Sequence, residues 1–194
     1  MNPIRRLVLA CVVLCFVLPG LAVAQGKPLS PQERALHEAA YAGDLEAVHP
    51  LVAGGVPVDV ADPEGRTPLM WAAFNGHTAV VSYLLENGAA INAKDESGRE
   101  ALMFASSGPF AETVELLLQR GADVNAQGTL EGFTALMTAA AEGQVDVVRL
   151  LLAYGADPAV KDVDDDTAES FARQKGHTAV IELLHDPPPP VRKP

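Results

Sequence analysis

The sequence predicts an all-α repeat solenoid of about five stacked units, with the first and last acting as caps. Two observations carry that expectation. A closing phrase recurs, as Leu84-Leu85-Glu86-Asn87-Gly88-Ala89-Ala90-Ile91-Asn92-Ala93, Leu117-Leu118-Gln119-Arg120-Gly121-Ala122-Asp123-Val124-Asn125-Ala126 and Leu151-Leu152-Ala153-Tyr154-Gly155-Ala156-Asp157. It places Gly88, Gly121 and Gly155 at intervals of 33 and 34 residues. A fixed period of this length marks units that cannot bury an apolar face alone and must stack on their neighbours. Within a period, apolar residues also fall at helical spacing in two short runs separated by glycine.

The unit at 63–95 shows how each element arises. Pro63-Glu64-Gly65-Arg66 is turn chemistry. Thr67 can cap a helix with its hydroxyl, and Pro68 suits the first helical position, where a missing N–H costs nothing. Leu69, Ala72 and Ala73 give one apolar face, small enough for close helix approach. Gly76 ends this helix, and His77-Thr78 opens a second one with the stripe Val80, Val81, Leu84 and Leu85. Gly88 stops it, and residues 89–95 lead as an extended finger to the next turn.

The phrases Gly-x-Thr-Pro-Leu, Ala-Ala, Gly-His, Val-Val, Leu-Leu and Gly-Ala-x-x-Asn-Ala resemble ankyrin repeats over about Gln32 to His185. The resemblance implies helix-turn-helix units joined by β-hairpin fingers. The expected units are an N-terminal cap at 32–62, repeats at 63–95, 96–127 and 128–162, and a C-terminal cap at 163–185. The first copy lacks a leading finger. The third has Glu100-Ala101-Leu102 in place of Thr-Pro-Leu, and a stiff Ser106-Ser107-Gly108-Pro109 turn. The fourth has one extra residue around Thr129-Leu130-Glu131. In the fifth, Glu169 replaces the inward leucine and Arg173 the second alanine, which suits a cap with one wet face. A Pro-rich tail at 186–194 has no apolar face to bury and is expected to be extended, disordered and mobile.

The start of the chain reads as a secretory signal peptide at 1–24, followed by a linker at 25–31. Arg5-Arg6 precede an apolar run from Leu7 to Leu18, and Ala22-Val23-Ala24 is a small-x-small cleavage site before Gln25. The run is shorter than the roughly 20 residues that cross a bilayer, so cleavage is expected in preference to a retained anchor. Cys11 and Cys15 both leave with the leader, so packing alone must stabilise the remainder. Losing Arg5 and Arg6 leaves 12 basic residues against 25 acidic ones, a balance of −13. Such a surface repels phosphate backbones and anionic lipid, so the expected partner is a protein rather than nucleic acid or membrane.

In proteins of the resembled family, partners meet the finger tips and the exposed side of the first helices. Register places Glu64, Arg66, Glu96, Arg99, Glu131, Phe133, Asp164 and Asp166 at the tips. It places Tyr41, Phe74, Asn75, Ser107, Glu142, Gln174 and Lys175 just before the interhelical turns. Tyr41, Phe74 and Phe133 are either binding hot spots or rings folded back onto adjacent repeats. Trp71 and Phe104 are expected in the core. Met70, Met103 and Met137 stand where the family usually has histidine, a place that His37 keeps; gap filling is expected there in preference to soft-metal binding.

The cluster Asp162, Asp164, Asp165 and Asp166 begins like a calcium loop, but Thr167 replaces the required glycine, and a solvated acidic finger is expected. No His-Glu-x-x-His, nucleophile elbow or phosphate loop is present. The expectation is therefore a non-enzymatic monomer without cofactor or metal, binding a protein on its concave face. Arg66, Arg99, Phe74 and Phe133 would be central to that face. Resemblance to short exported bacterial ankyrin proteins implies a periplasmic or secreted adaptor. It also raises the alternative of an accessory factor for a periplasmic haem catalase or peroxidase in oxidative-stress defence; a separate alternative is an inhibitor or immunity-type binder.

Overall fold

A computed structural model describes residues 28–191, and the expected signal peptide lies outside them. Among the described residues, ten helices follow one another in five antiparallel pairs. The first helices of the pairs are α1 (Pro31–Ala42), α3 (Pro68–Phe74), α5 (Ala101–Ala105), α7 (Ala135–Ala141) and α9 (Ala168–Lys175). The second helices are α2 (Leu45–Ala53), α4 (Thr78–Glu86), α6 (Ala111–Gln119), α8 (Val145–Ala153) and α10 (Thr178–His185). Each first helix packs on the next first helix, and each second helix on the next second helix, giving two layers.

Local chemistry starts and stops these short helices. Thr67, Thr134 and Thr167 each accept an N–H bond from the residue three places on, capping α3, α7 and α9. Ser30 and Glu33 form a reciprocal capping box at α1. The helix α5 is the shortest, because two serine hydroxyls bend back at its end. Ser106 donates to the Leu102 carbonyl at 2.7 Å and Ser107 to the Phe104 carbonyl at 2.8 Å, and Pro109 then has no N–H to continue.

The core is a set of register ladders. Leu36, Leu69, Leu102 and Leu136 form one, and Val48, Val81, Val114 and Val148 another; all are buried. Full burial of each such side chain is worth about 1.5–3 kcal/mol. Met70, Met103 and Met137 fill the space between successive first helices, with His37 at the top of the same ladder.

Polar staples link neighbouring repeats. The His77 ring lies over Gly43 and donates from Nε2 to the Tyr41 carbonyl at 3.0 Å; His177 does the same over Gly143 to Ala141 at 3.1 Å. A carbonyl only accepts, so both protons sit on Nε2. Phe110 takes this place in the third repeat and covers Gly76, where a Cβ would meet its ring at 2.1 Å. On the opposite side, Asn92 accepts from the Asp123 N–H and Asn125 from the Asp157 N–H, tying each loop to the next.

The fingers are tight turns. Among the described residues they contain no β-strand, in place of the expected hairpins. Each has one backbone bond between its two arms, such as Asp62 N–H to the Arg66 carbonyl at 2.9 Å, and one inside the turn, such as Gly65 N–H to the Asp62 carbonyl at 2.9 Å, too few bonds for a ladder. Adjacent tips bond directly: Glu96 N–H to Glu64 O, Thr129 N–H to Ser97 O and Val163 N–H to Glu131 O. The prolines after α10 run back along the stack, and the Val191 N–H donates to the Ala153 carbonyl at 2.7 Å. That bond tethers the described part of the tail.

Candidate functional site

The fingers and the first helices form one continuous face. Its centre is a strip of aromatic rings that crosses three repeats. Tyr41 meets Trp71 edge to face at 5.5 Å, Trp71 meets Phe74 at 6.3 Å, and Phe74 meets Phe104 at 6.4 Å. Edge-to-face pairs contribute about 0.5–1.5 kcal/mol each beyond their area. Trp71 and Phe104, expected in the core, are half-buried members of this strip, because their register position faces the fingers. Phe74 lies between them. Tyr41 remains 47 % exposed and is the most accessible ring.

Two finger arginines lie over the strip. The Arg66 guanidinium sits 4.4 Å from the Trp71 ring centre and Arg99 sits 4.7 Å from Phe104. Both are held by an aspartate four residues earlier: Arg66 Nε donates to Asp62 Oδ2 at 2.8 Å, and Arg99 Nε to Asp95 Oδ2 at 2.8 Å. Asp62 also accepts from the Glu64 and Arg66 backbone N–H groups and from Trp71 Nε1 at 3.2 Å. A second Arg66 nitrogen reaches Glu64 at 2.6 Å, which leaves its side chain 16 % exposed. Arg66 is thus largely a structural strut, while Arg99 keeps more open surface. The Asp-x-x-x-Arg spacing at Asp62 and Asp95 was the sequence signal for these struts.

The remaining expected site residues distribute along the same face. Asn75 donates to the Tyr41 carbonyl at 2.7 Å and is half-buried. Ser107 is half-buried at the end of α5. Glu96, Glu142, Asp164, Gln174 and Lys175 are exposed, and Asp166 is half-buried. Phe133 takes the register position of Arg66 and Arg99 but leans onto the next repeat, meeting Phe171 at 5.1 Å. It turns there because its own repeat offers Thr138 in place of an aromatic ring. Burial pushes the Glu131 carboxyl above its usual range; nearby Arg99 opposes the shift and Asp162 adds to it.

Sequence reading missed two apolar finger tips. Leu130 is 66 % exposed and Val163 is 69 % exposed, on tips joined by the Val163-to-Glu131 bond. Their signal was the register itself, since Pro63 and Glu96 hold the same place in the earlier fingers.

His37, Met70, Met103 and Met137 lie buried between repeats and present no ligand set to solvent. Among the described residues, no group of three or more His, Cys, Asp or Glu side chains is arranged to hold a metal ion. The Asp162 carboxylate is instead occupied by its own turn, accepting from the Asp164 and Asp166 N–H groups at 2.9 and 2.8 Å. No described helix is long and apolar enough to cross a membrane.

Residues 36–128 and 111–190 match the family described as ankyrin repeats (3 copies). The chain belongs to the ankyrin-repeat family. Among curated proteins, ankyrin repeat family A protein 2 of Mus musculus and of Bos taurus are 52 % identical to it over 48 residues. That stretch is 25 % of this chain and 15 % of those proteins. The ARF GTPase-activating protein GIT1 of Homo sapiens is 44 % identical over 54 residues, 28 % of this chain and 7 % of that protein. The chain thus spans a small part of these relatives. Ankyrin repeats are a protein–protein interaction module and generally non-enzymatic.

Proposed function

We propose that this chain is an exported ankyrin-repeat adaptor that binds one protein partner on its finger-side face. The observation that supports the reading most is the aromatic strip running from exposed Tyr41 through Trp71 and Phe74 to Phe104. Rings held edge to face are rigid and contribute large contact area at low entropic cost, the property of interface anchors. The leader-like first 24 residues support the exported, periplasmic part of the reading.

Site-specific photo-crosslinking in cells tests both parts. A photoreactive residue at Tyr41 or Phe74 is expected to capture a discrete protein band in the periplasmic fraction. The same residue at Glu115 or Gln119, exposed on α6 in the other layer, is expected to capture none. Crosslinks confined to the α6 positions would move the interface to the opposite side and sink the surface assignment. Crosslinks confined to the cytoplasmic fraction would sink the export reading.

A further inference from the structure

The first boundary of the stack lacks supports that the later ones have. At each later boundary adjacent finger tips share a backbone bond: Glu96 to Glu64, Thr129 to Ser97 and Val163 to Glu131. Among the described residues no finger precedes α1, so the first repeat makes no such bond and has a neighbour on one side only. Its second helix is interrupted as well, since Pro50 lies inside α2 and offers no N–H to the preceding turn. This repeat is joined to the next by apolar packing of Leu36, Ala40 and Val48. Asn75 Nδ2 and His77 Nε2 add bonds to the Tyr41 carbonyl at 2.7 and 3.0 Å, and the Ala90 N–H donates to Asp59 at 2.9 Å. In a stack, a terminal unit with one interface opens at lower cost than an internal unit with two.

His37 lies inside this boundary, buried, with neither ring nitrogen in a well-formed hydrogen bond. Burial holds the ring toward its neutral form; Asp62, the Val60 carbonyl and Glu33 oppose this, and Arg66 adds to it. The helix α3 carries no titratable side chain, and Glu46 and His49 of α2 are exposed. Asp62 is the main counter-charge, and it is already occupied. Its Oδ1 accepts from the Glu64 and Arg66 N–H groups, and its Oδ2 from Arg66 Nε and Trp71 Nε1. A carboxylate offers about four lone-pair sites, so no site is left for an imidazolium. A charged His37 must take Asp62 from Arg66 and Trp71, or reach water by leaving the boundary.

We propose that protonation of His37 opens the first repeat as a unit, α1 and α2 together, while the second to fifth repeats stay folded. Opening carries away Tyr41, the outermost ring of the aromatic strip, and uncovers one side of Trp71. On the reading of the finger-side face as the binding face, mild acid therefore withdraws one end of that face. The direction follows from linkage. The open repeat takes up a proton near the usual 6.5 and the closed repeat less readily, so the closed form loses ground as pH falls through 6.5. Each further pH unit raises the opening constant by up to about tenfold, until the closed form also takes up the proton. Between pH 7.5 and pH 5 the rise is at most about 30-fold.

The test is native-state amide hydrogen exchange of the whole protein, read by mass spectrometry from pH 7.5 to pH 5 and corrected for the intrinsic pH dependence of exchange. Protection in α1 and α2 is expected to fall together by several-fold or more, while protection in α6 and α8 holds. His37→Met and His37→Gln both remove the titrating ring, and either one that folds is expected to flatten the pH dependence in α1 and α2. An equal loss in every helix, abolished by these variants, would show global unfolding and overturn the proposal. Unchanged protection in α1 and α2 at pH 5 would overturn it too. So would a pH-dependent opening that persists in both variants, which would assign the switch to another group such as His77. The measurement needs no partner, so its failure leaves the crosslinking result untouched. Crosslinks confined to α6 would sink the face assignment even if the first repeat opens in acid.

Discussion

His37 is a polar residue in a place that the next three repeats fill with methionine. It is 7 % exposed, and neither ring nitrogen has a hydrogen bond of good geometry. Burial pulls its pKa below the usual 6.5; Asp62, the nearby Val60 carbonyl and Glu33 oppose this, and Arg66 adds to it. A base whose folded pKa is depressed resists a proton that the unfolded chain accepts. The resulting loss of stability is absent above the unfolded pKa and grows as pH falls through it. The variant His37→Met, which copies Met70, Met103 and Met137, is expected to be more stable than the parent. Its advantage in urea melts should widen between pH 7.5 and pH 5, by up to about 1.4 kcal/mol per unit of depression. An equal advantage at both pH values would mean that packing alone, not charge, is at stake.

Glu100 is a second misfit at the residue scale. It stands where Thr67, Thr134 and Thr167 cap their helices, makes no cap bond, and leaves Oε2 buried without a partner. Burial raises its pKa; Lys94, 3.6 Å from Oε1, opposes the shift and Asp123 adds to it.

At the scale of elements, the fingers show how one repeat constrains the next. Gly65, Gly98 and Gly132 all take positive φ, and each abuts the backbone or side chain of the following finger. A Cβ on Gly98 would lie 2.4 Å from the Thr129 nitrogen. The fifth finger has Asp165 at this register with φ of 64°, and no further finger follows among the described residues to meet its side chain. Gly98→Ala is therefore expected to cost about 2 kcal/mol or more, from strained backbone and a clash together. Asp165→Gly should stay within about 1 kcal/mol of the parent, since relief of strain and added unfolded-state entropy oppose each other. Thermal melts of the two variants distinguish them, and equal losses would contradict the inter-finger contact.

At the scale of the whole molecule, the later repeats depart from the pattern of the earlier ones. Three substitutions fall close together, one at the end of the fourth repeat and two in the fifth. Asp165 replaces the finger glycine, Ala159 replaces the stapling asparagine, and Glu169 replaces the ladder leucine. Glu169 accepts from Arg173 Nε at 2.8 Å and approaches His185 Nε2 at 3.1 Å, so the end of the first-helix layer is charged and wet. The same contacts hold its carboxyl below the usual range. Glu169→Leu restores the ladder and exposes it. The expected result is a folded protein that associates with rising concentration in sedimentation velocity, where the parent does not. A variant that behaves as the parent at all concentrations would show that Glu169 is not what blocks further stacking.

Much of this architecture was legible in the chain itself. The 33-residue spacing determined the stack, and the threonines and glycines marked where helices begin and end. These signals are local or strictly periodic, so a single chain displays them. Which side chains the finger-side face leaves available was decided by the tertiary structure. Arg66 looked free at a tip until Asp62 and Trp71 were placed around it. Trp71 and Phe104 looked buried until their register was seen to face the fingers. Leu130 and Val163 are brought onto adjacent tips by the Val163-to-Glu131 backbone bond. Exposure of each depends on what a neighbouring element sets opposite it, and the sequence pattern within one repeat does not contain that information.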